Sequence, residues 1–172
     1  MNNEERPSGG WLMIVLGWSV ALLLLTMLFN GYLNERANPN RITVLSKQSG
    51  ELVLHANNLG HYLAEGYLNG LQVTFLLDTG ATQIAVPKSI AARAGLNPGT
   101  IVGVQTAAGP ANAHNTRIRR INVGQLQFSD MRGVIIPSGD NMVLLGMNAL
   151  GDLDIIQRDG ALILKKPETA TL

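Results

Sequence analysis

The residues best suited to chemistry in this chain are Asp78, Thr79, Gly80 and Ala81. The preceding run Val73-Thr74-Phe75-Leu76-Leu77 predicts a buried strand that delivers the carboxylate into a tight turn. Thr79 adds a hydroxyl that can tie the turn to a neighbour, and Gly80 permits a close backbone approach or a positive φ. A carboxylate held in this way can take a proton from a water molecule. The same residue types also form ordinary turns after strands, so the motif needs support from its surroundings.

A second run of similar character lies near the C-terminus. Val143-Leu144-Leu145-Gly146 predicts an apolar strand, and residues 147–150 predict a brief helical turn. Together with the Asp78 motif, this run resembles the two signatures of the retropepsin-like aspartic protease family, most closely its membrane-anchored bacterial branch. The resemblance covers roughly residues 60–164. It assigns four residues to the second signature: Leu145, Gly146, Met147 and Asn148.

The resemblance implies an all-β fold, a retropepsin-like closed barrel that forms one lobe. Many short strand-like runs with regular turn signals lead independently to an all-β sandwich or barrel. Asn69-Gly70 gives the clearest local signal, because both central positions of a two-residue hairpin turn require positive φ. Asp159-Gly160 marks a turn between two closing strands, residues 42–45 predict an edge strand, and residues 87–94 predict a short helix ending before Gly95.

The chemistry that the resemblance implies is peptide-bond hydrolysis by an endopeptidase with Asp78 as its catalytic residue. Hydrolysis by carboxylates needs two groups, one that takes a proton from water and one that hydrogen-bonds the scissile carbonyl, and the two share one proton. The sequence contains no second Asp-Thr-Gly or Asp-Ser-Gly. We therefore expect a homodimer in which Asp78 of a second chain supplies the other carboxylate. Thr79 would bond across the two-fold axis, and Gly80 would permit the close approach.

A segment of small residues near the middle of the chain predicts the tip of a mobile hairpin. Small residues around Gly109-Pro110 are typical of a hairpin tip. In the family that the chain resembles, this position is the flap, which closes over an extended peptide or protein substrate. An inert surface loop is the alternative interpretation. The flap prediction covers four residues: Thr106, Ala107, Ala108 and Gly109.

Residues 11–29 contain no charged side chain and, as a helix, reach close to the thickness of a bilayer core. They predict an uncleaved transmembrane anchor, with a tail at 1–10, a linker at 30–41 and the protease domain at 42–172. A cleaved signal peptide is the alternative. The start Glu4-Glu5-Arg6 is not basic, however, and no clean small-x-small site follows the span.

The distribution of arginines and the family resemblance favour opposite orientations of this anchor. Arg6 precedes the span, whereas Arg36 and Arg41 follow it, and the positive-inside rule then favours a cytoplasmic C-terminal domain. The family resemblance implies a periplasmic domain on a single-pass protein of the bacterial inner membrane. We follow the resemblance.

Composition argues against several other functions. The net charge is +1 and no basic cluster is interleaved with aromatics, so nothing indicates nucleic-acid binding. Cysteine is absent, and His55, His61 and His114 lack metal-ligand spacing. We therefore expect no metal and no cofactor. The alternative function, from a different class, is a non-catalytic peptide-binding or interaction module on the same fold.

Overall fold

The computed structural model describes residues 10–40, 51–106, 109–137 and 141–167. The chain forms two compact units, Met1–Ala37 and Asn38–Leu172. The strand predicted at 42–45 and the predicted flap residues Ala107 and Ala108 lie outside the described residues.

The first unit contains one long helix, α1, over Gly10–Ala37. Its segment Gly10–Leu33 is long and apolar enough to cross a membrane, judged by length and composition. The helix extends beyond the predicted anchor, through residues 30–37, which the sequence had assigned to the linker. No proline precedes Pro39 in this segment, so no missing backbone donor interrupts the helical hydrogen bonds.

The second unit contains the sheet structure. Its described strands are β1 Leu52–His55, β2 Tyr62–Leu68, β3 Leu71–Leu77, β4 Ile84–Pro87, β5 Ile101–Thr106, β6 Gly109–Val123, β7 Leu126–Ile136, β8 Met142–Leu145, β9 Asp154–Arg158 and β10 Ala161–Lys165. Two short helices accompany them, α2 over Lys88–Arg93 and α3 over Met147–Leu150.

Six of these strands close into a barrel in the order β2-β3-β8-β4-β7-β6, because β2 pairs with both β3 and β6. The pairs β3–β8 and β4–β7 are parallel, and the other neighbours are antiparallel. Strand β5 pairs with β6 outside the closed ring. A separate sheet has the order β1-β10-β9. The predicted all-β closed barrel is therefore confirmed.

The predicted tight turns are present. Asn69 and Gly70 have φ of 51° and 91° between β2 and β3, and Asp159 and Gly160 have φ of 50° and 74° between β9 and β10. These are the left-handed values that a two-residue hairpin needs. Gly95, with φ of 64°, follows the end of α2 as the sequence predicts.

The barrel core fixes the strand that carries Asp78. Val73, Phe75 and Leu77 alternate along β3 and are buried, and Val143 and Leu145 are buried on the adjacent β8. Burying each side chain of this size contributes about 1.5–3 kcal/mol. The residue that follows Leu77 is therefore held in place by two adjacent strands with buried side chains.

Asn40 joins the predicted linker to the domain. Its side chain is buried, donates to the carbonyls of His55 (2.7 Å) and Leu63 (2.9 Å), and accepts from the His55 N–H at 2.8 Å. The end of the predicted linker is therefore part of the folded domain. The compact unit begins at Asn38.

Candidate active site

Asp78 directly follows the end of β3 and is half-buried. Its backbone N–H donates to the carbonyl of Leu145 on β8 at 3.2 Å. The N–H of Gly80 donates to Asp78 Oδ1 at 2.8 Å, and the N–H of Ala81 donates to the Asp78 carbonyl at 3.2 Å. The turn thus fixes the orientation of the carboxylate through the backbone.

The second signature holds the other side of this turn. Met147 N–H donates to the Ala81 carbonyl at 2.8 Å, and Asn148 N–H donates to the Thr82 carbonyl at 3.2 Å. At Gly146 an added Cβ would lie 2.6 Å from the Gln83 carbonyl oxygen. Only glycine allows the two segments to approach this closely. The structure therefore brings together the two motifs that the sequence singled out.

The side chain of Asn148 is a further link that the sequence did not reveal. Its Oδ1 accepts from the Ile84 N–H at 3.1 Å, and its Nδ2 donates to the Arg132 carbonyl at 2.8 Å. One amide therefore ties α3 to both β4 and β7. The family signature indicated that Asn148 matters, but nothing in its spacing indicated these two partners.

A cavity of about 350 Å³ lies beside Asp78. Its lining residues are Gly60, His61, Tyr62, Leu76, Leu77, Asp78, Thr79, Ile155, Gln157 and Leu162. Gln157 Nε2 donates to the Tyr62 hydroxyl at 3.1 Å, which connects β9 to the start of β2. A more apolar cavity of about 330 Å³, lined by α2, β6 and β7 residues, has no carboxylate in its lining.

The predicted flap corresponds to the β5–β6 hairpin. Thr106 and Gly109 face each other at the ends of the two strands, and Thr106 Oγ1 donates to the Gly109 carbonyl at 2.7 Å. Gly109 has φ of 108°, a value that disfavours other residues. No residue of β5 is fully buried.

Residues 64–152 match the family model described as "gag-polyprotein putative aspartyl protease", which spans more than half of the chain. The chain belongs to this family, the retropepsin-like aspartic proteases. The match includes both the Asp78 turn and the Gly146 segment that supports it. Protease chemistry is therefore shown at the level of the family.

Two relatives are similar to this chain in sequence. An uncharacterized Sinorhizobium protein from the cobV 5′ region is 30% identical over 155 residues, and the alignment covers 86% of this chain and 66% of that protein. Uncharacterized protein RP867 of Rickettsia prowazekii (strain Madrid E) is 26% identical over 108 residues, covering 61% and 46% respectively. The chain thus spans just under two thirds of the first relative's length and less than half of the second's.

The solved structure of a retropepsin-like aspartic protease from Rickettsia conorii has the same fold. It superimposes with a TM-score of 0.57 at 24% identity, covering 68% of this chain and 90% of that chain. This similarity establishes the retropepsin-like barrel that the sequence predicted.

The part of the chain that the structure describes contains no cluster of potential metal ligands. Among residues 10–40, 51–106, 109–137 and 141–167, no three His, Cys, Asp or Glu side chains cluster closely enough to hold an ion. His61 lines the Asp78 cavity, whereas His114 lines the more apolar one.

Proposed function

We propose that this chain is a membrane-anchored aspartic endopeptidase that forms its catalytic pair across a homodimer. The observation that carries the proposal is the half-buried Asp78 carboxylate, oriented by the Gly80 N–H beside a cavity of about 350 Å³. Gly146 packs closely against the segment that follows the turn, and Asn148 accepts a hydrogen bond from the Ile84 N–H in the same segment. A backbone arranged so tightly around one half-buried carboxylate suits a group that must keep its orientation during a reaction.

The reaction follows from two such carboxylates facing each other. The ionised carboxylate takes a proton from a water molecule, and the protonated one donates a hydrogen bond to the scissile carbonyl. The water oxygen then bonds to the carbonyl carbon to give a tetrahedral intermediate. This intermediate breaks its C–N bond as the amine nitrogen receives the proton that the first carboxylate took from the water, which leaves that carboxylate ionised again. One proton shared between the two groups is the established behaviour of aspartic protease dyads.

The stoichiometry rests on the sequence. One Asp-Thr-Gly is present and no Asp-Ser-Gly, so a single chain provides one carboxylate in this context. A two-fold axis beside Asp78 would place the same residue of a second copy opposite it. In this arrangement Thr79 and Gly80, which are both exposed, lie at the axis.

Anchoring would favour this assembly. The apolar segment Gly10–Leu33 would hold the chain in the bacterial inner membrane with the protease domain in the periplasm. Confinement to one membrane raises the effective concentration of the two halves. The substrate would be a peptide or an unfolded protein segment, bound in extended form between Asp78 and the β5–β6 hairpin.

The test compares two aspartates in the full chain, purified in detergent, with an unstructured protein as substrate. Asp78→Asn should lower cleavage by about 10²–10⁴-fold, because the amide can neither accept nor hold the shared proton. Asp152→Asn, an exposed aspartate elsewhere in the domain, should cleave like the wild type. Cleavage that survives Asp78→Asn would remove the enzyme assignment. Substrate binding without turnover in the wild type would favour the peptide-binding module instead.

A further inference from the structure

Basic and acidic residues are unevenly distributed along the folded domain. Residues 79–137 contain six basic residues and a single acidic one, Asp130. The rest of the domain, residues 38–78 and 138–172, contains five basic and eight acidic residues. The net charge of +1 for the whole chain therefore conceals a strongly basic segment within the domain.

Four of these basic residues are exposed on the paired strands β6 and β7, and we call them the basic patch. Its members are Arg117, Arg119, Arg120 and Arg132. Arg117 lies opposite Arg132 in the β6–β7 register, and Arg120 lies opposite Ser129. Opposed Cβ atoms of an antiparallel pair are about 4.5–5.5 Å apart, so the four cations share a small area of the surface.

The charge of the basic patch is balanced only in part. Asp130 bonds to Arg117. In the part of the chain that the structure describes, the guanidinium groups of Arg119, Arg120 and Arg132 have no carboxylate partner. Like charges directly opposite each other in a sheet are destabilising, and Arg117 faces Arg132. Three arginines of the patch are therefore positive charges that an external anion would neutralise.

The chain that leads into the domain is short. The segment long and apolar enough to cross a membrane ends at Leu33, and the folded unit begins at Asn38. Five residue steps extend over at most about 18 Å. The headgroup layer adds about 5–8 Å to the hydrocarbon core on each side, and attraction between charges reaches about 10 Å further at about 0.1 M ionic strength. In an anchored chain, the first residue of the domain therefore lies within electrostatic reach of the headgroups.

Contacts inside the domain connect this first residue to the basic patch. Asn38 Nδ2 donates to Glu65 Oε1 on β2 at 3.0 Å. Asn69 follows Glu65 by four residues, about 13 Å along the strand direction. The Asn69 N–H donates to the Arg120 carbonyl at 2.9 Å, and Asn69 Oδ1 accepts from the Arg120 N–H at 3.1 Å. The basic patch therefore lies near the residue at which the chain enters the domain.

We propose that the basic patch docks on anionic phospholipid headgroups of the membrane that holds α1; the proposal rests on the membrane anchor proposed above and not on proteolysis. The patch contains four arginines and no lysine. A guanidinium group donates two parallel hydrogen bonds to a phosphate, which an ammonium group does not. Each arginine near an anionic surface should favour the docked state by about 5-fold.

Nucleic acid is the other source of phosphate groups that a cluster of arginines binds. Surfaces that bind single strands add aromatic side chains on which the bases stack. Phe128 is the one Phe, Tyr or Trp residue of β6 and β7, and it packs against the barrel core. The patch therefore offers charge without a stacking surface, whereas the short connection to the anchor brings a lipid surface within reach.

The test reconstitutes the full chain into vesicles of phosphatidylcholine alone, or of equal parts phosphatidylcholine and phosphatidylglycerol. Ser129→Cys provides a unique thiol for a donor dye, because the natural sequence has no cysteine. The acceptor dye is carried on the lipid headgroups. Energy transfer should be higher in the anionic vesicles. It should fall to the neutral-vesicle value in about 1 M salt, where the Debye length shrinks to about 3 Å.

Matched substitutions in this labelled chain identify the responsible cations. The patch variant removes the three uncompensated arginines: Arg119→Gln, Arg120→Gln and Arg132→Gln. The control variant removes three cations outside the patch: Arg158→Gln, Lys165→Gln and Lys166→Gln. The patch variant should lower the docking equilibrium by about 10²-fold and abolish the difference between the two vesicles, whereas the control variant should retain it. Circular dichroism checks that both remain folded. Equal losses in the two variants, or no loss in either, would overturn the proposal.

Flotation of the same samples separates the docking patch from the anchor. A chain that floats with both kinds of vesicle, with no difference in energy transfer, would keep the anchor and overturn the docking patch. A chain that floats with anionic vesicles alone, and no longer does so as the patch variant, would remove the anchor and retain the patch. Unchanged transfer in the patch variant, together with lost binding of a fluorescent single-stranded oligonucleotide, would assign the patch to nucleic acid and overturn the proposal.

Discussion

The Asp78 turn and the β5–β6 hairpin are held in very different ways. The turn receives hydrogen bonds from β8 and α3 and lies above buried barrel residues. The hairpin extends from the barrel, and β5 has β6 as its one strand neighbour among the described residues. In the proposed protease, the Asp78 carboxylate would be kept rigid while the β5–β6 hairpin opens and closes over the substrate. Low local packing is what such a moving element requires.

Alanine substitutions at two glycines give the strongest test of this difference in packing between the two regions. Gly146→Ala would place a Cβ 2.6 Å from the Gln83 carbonyl oxygen, whereas a Cβ at Gly103 in β5 would meet nothing within 4 Å. We expect Gly146→Ala to destabilise the domain by about 3 kcal/mol, as overpacking does, and to abolish cleavage. Gly103→Ala should change stability by less than about 0.5 kcal/mol. Chemical denaturation measures both, and equal effects would contradict the contrast between the two regions.

Asn148 gives the next largest effect. Asn148→Ala leaves the Ile84 N–H and the Arg132 carbonyl without their partner, which costs about 1–3 kcal/mol for a poorly solvated group. Cleavage should fall as well, because the segment after the Asp78 turn loses its tie to α3. Asn112→Ala, an exposed asparagine of the hairpin, is the matched control for stability and should retain the wild-type denaturation midpoint. A wild-type denaturation midpoint for Asn148→Ala would count against the role of this amide.

The sequence predicted those parts of the molecule that depend on neighbouring residues. Asn69-Gly70 and Asp159-Gly160 determine their turns locally, because few other residues accept positive φ at both positions. The two apolar runs end near Asp78 and Gly146, which the structure brings into contact. The assignment of the active-site roles stays a prediction until Asp78 is tested.

The features that the sequence did not predict depend on contacts between residues that are distant in sequence. The parallel pairing of β4 with β7 and the closure of β2 on β6 leave no local signal. The polar residue Asn40 was assigned to a linker because linkers are polar. In the structure its side chain is buried and makes three hydrogen bonds. A polar side chain can be recognised as buried only when its partners are known.

A substitution at Thr106 tests whether a contact in the β5–β6 hairpin affects activity more than stability. Thr106→Val removes the hydroxyl that donates to the Gly109 carbonyl at 2.7 Å while preserving the side-chain shape. We expect kcat/KM to fall about 3- to 10-fold, the equivalent of one hydrogen bond, with little change in the denaturation midpoint. Thr116→Val in the same strand β6 is a suitable control, because its hydroxyl bonds to Asn97 rather than near the tip. A stability loss as large as that of Asn148→Ala would show that the hairpin is not the loosely held region.

The smallest effect is expected at an ion pair between β6 and β7, away from the Asp78 turn and from the tip of the β5–β6 hairpin. Arg117 on β6 is bonded to Asp130 on β7, and this guanidinium lowers the pKa of the Asp130 carboxyl below its ordinary value. The pair therefore stabilises the fold above the unfolded-state pKa, and this contribution is lost as pH falls through the lowered value. Both side chains are exposed, so the loss should be small and reduced by salt.

The substitution Arg117→Ala tests that direction. The pKa of Asp130 should rise towards its ordinary value, as followed by NMR titration, while cleavage stays at the wild-type level. An unchanged Asp130 titration would show that the pair does not persist in solution.

The measurement that bears most directly on the proposed catalytic pair mixes wild-type chains with Asp78→Asn chains and allows the subunits to exchange. If each site needs Asp78 from both copies, random pairing of an equal mixture leaves about a quarter of the dimers competent, and activity should fall to about a quarter of that of the same total amount of wild type. Mixing with Asp152→Asn should leave activity unchanged. A fall to about one half, the result for chains that each act alone, would contradict the account.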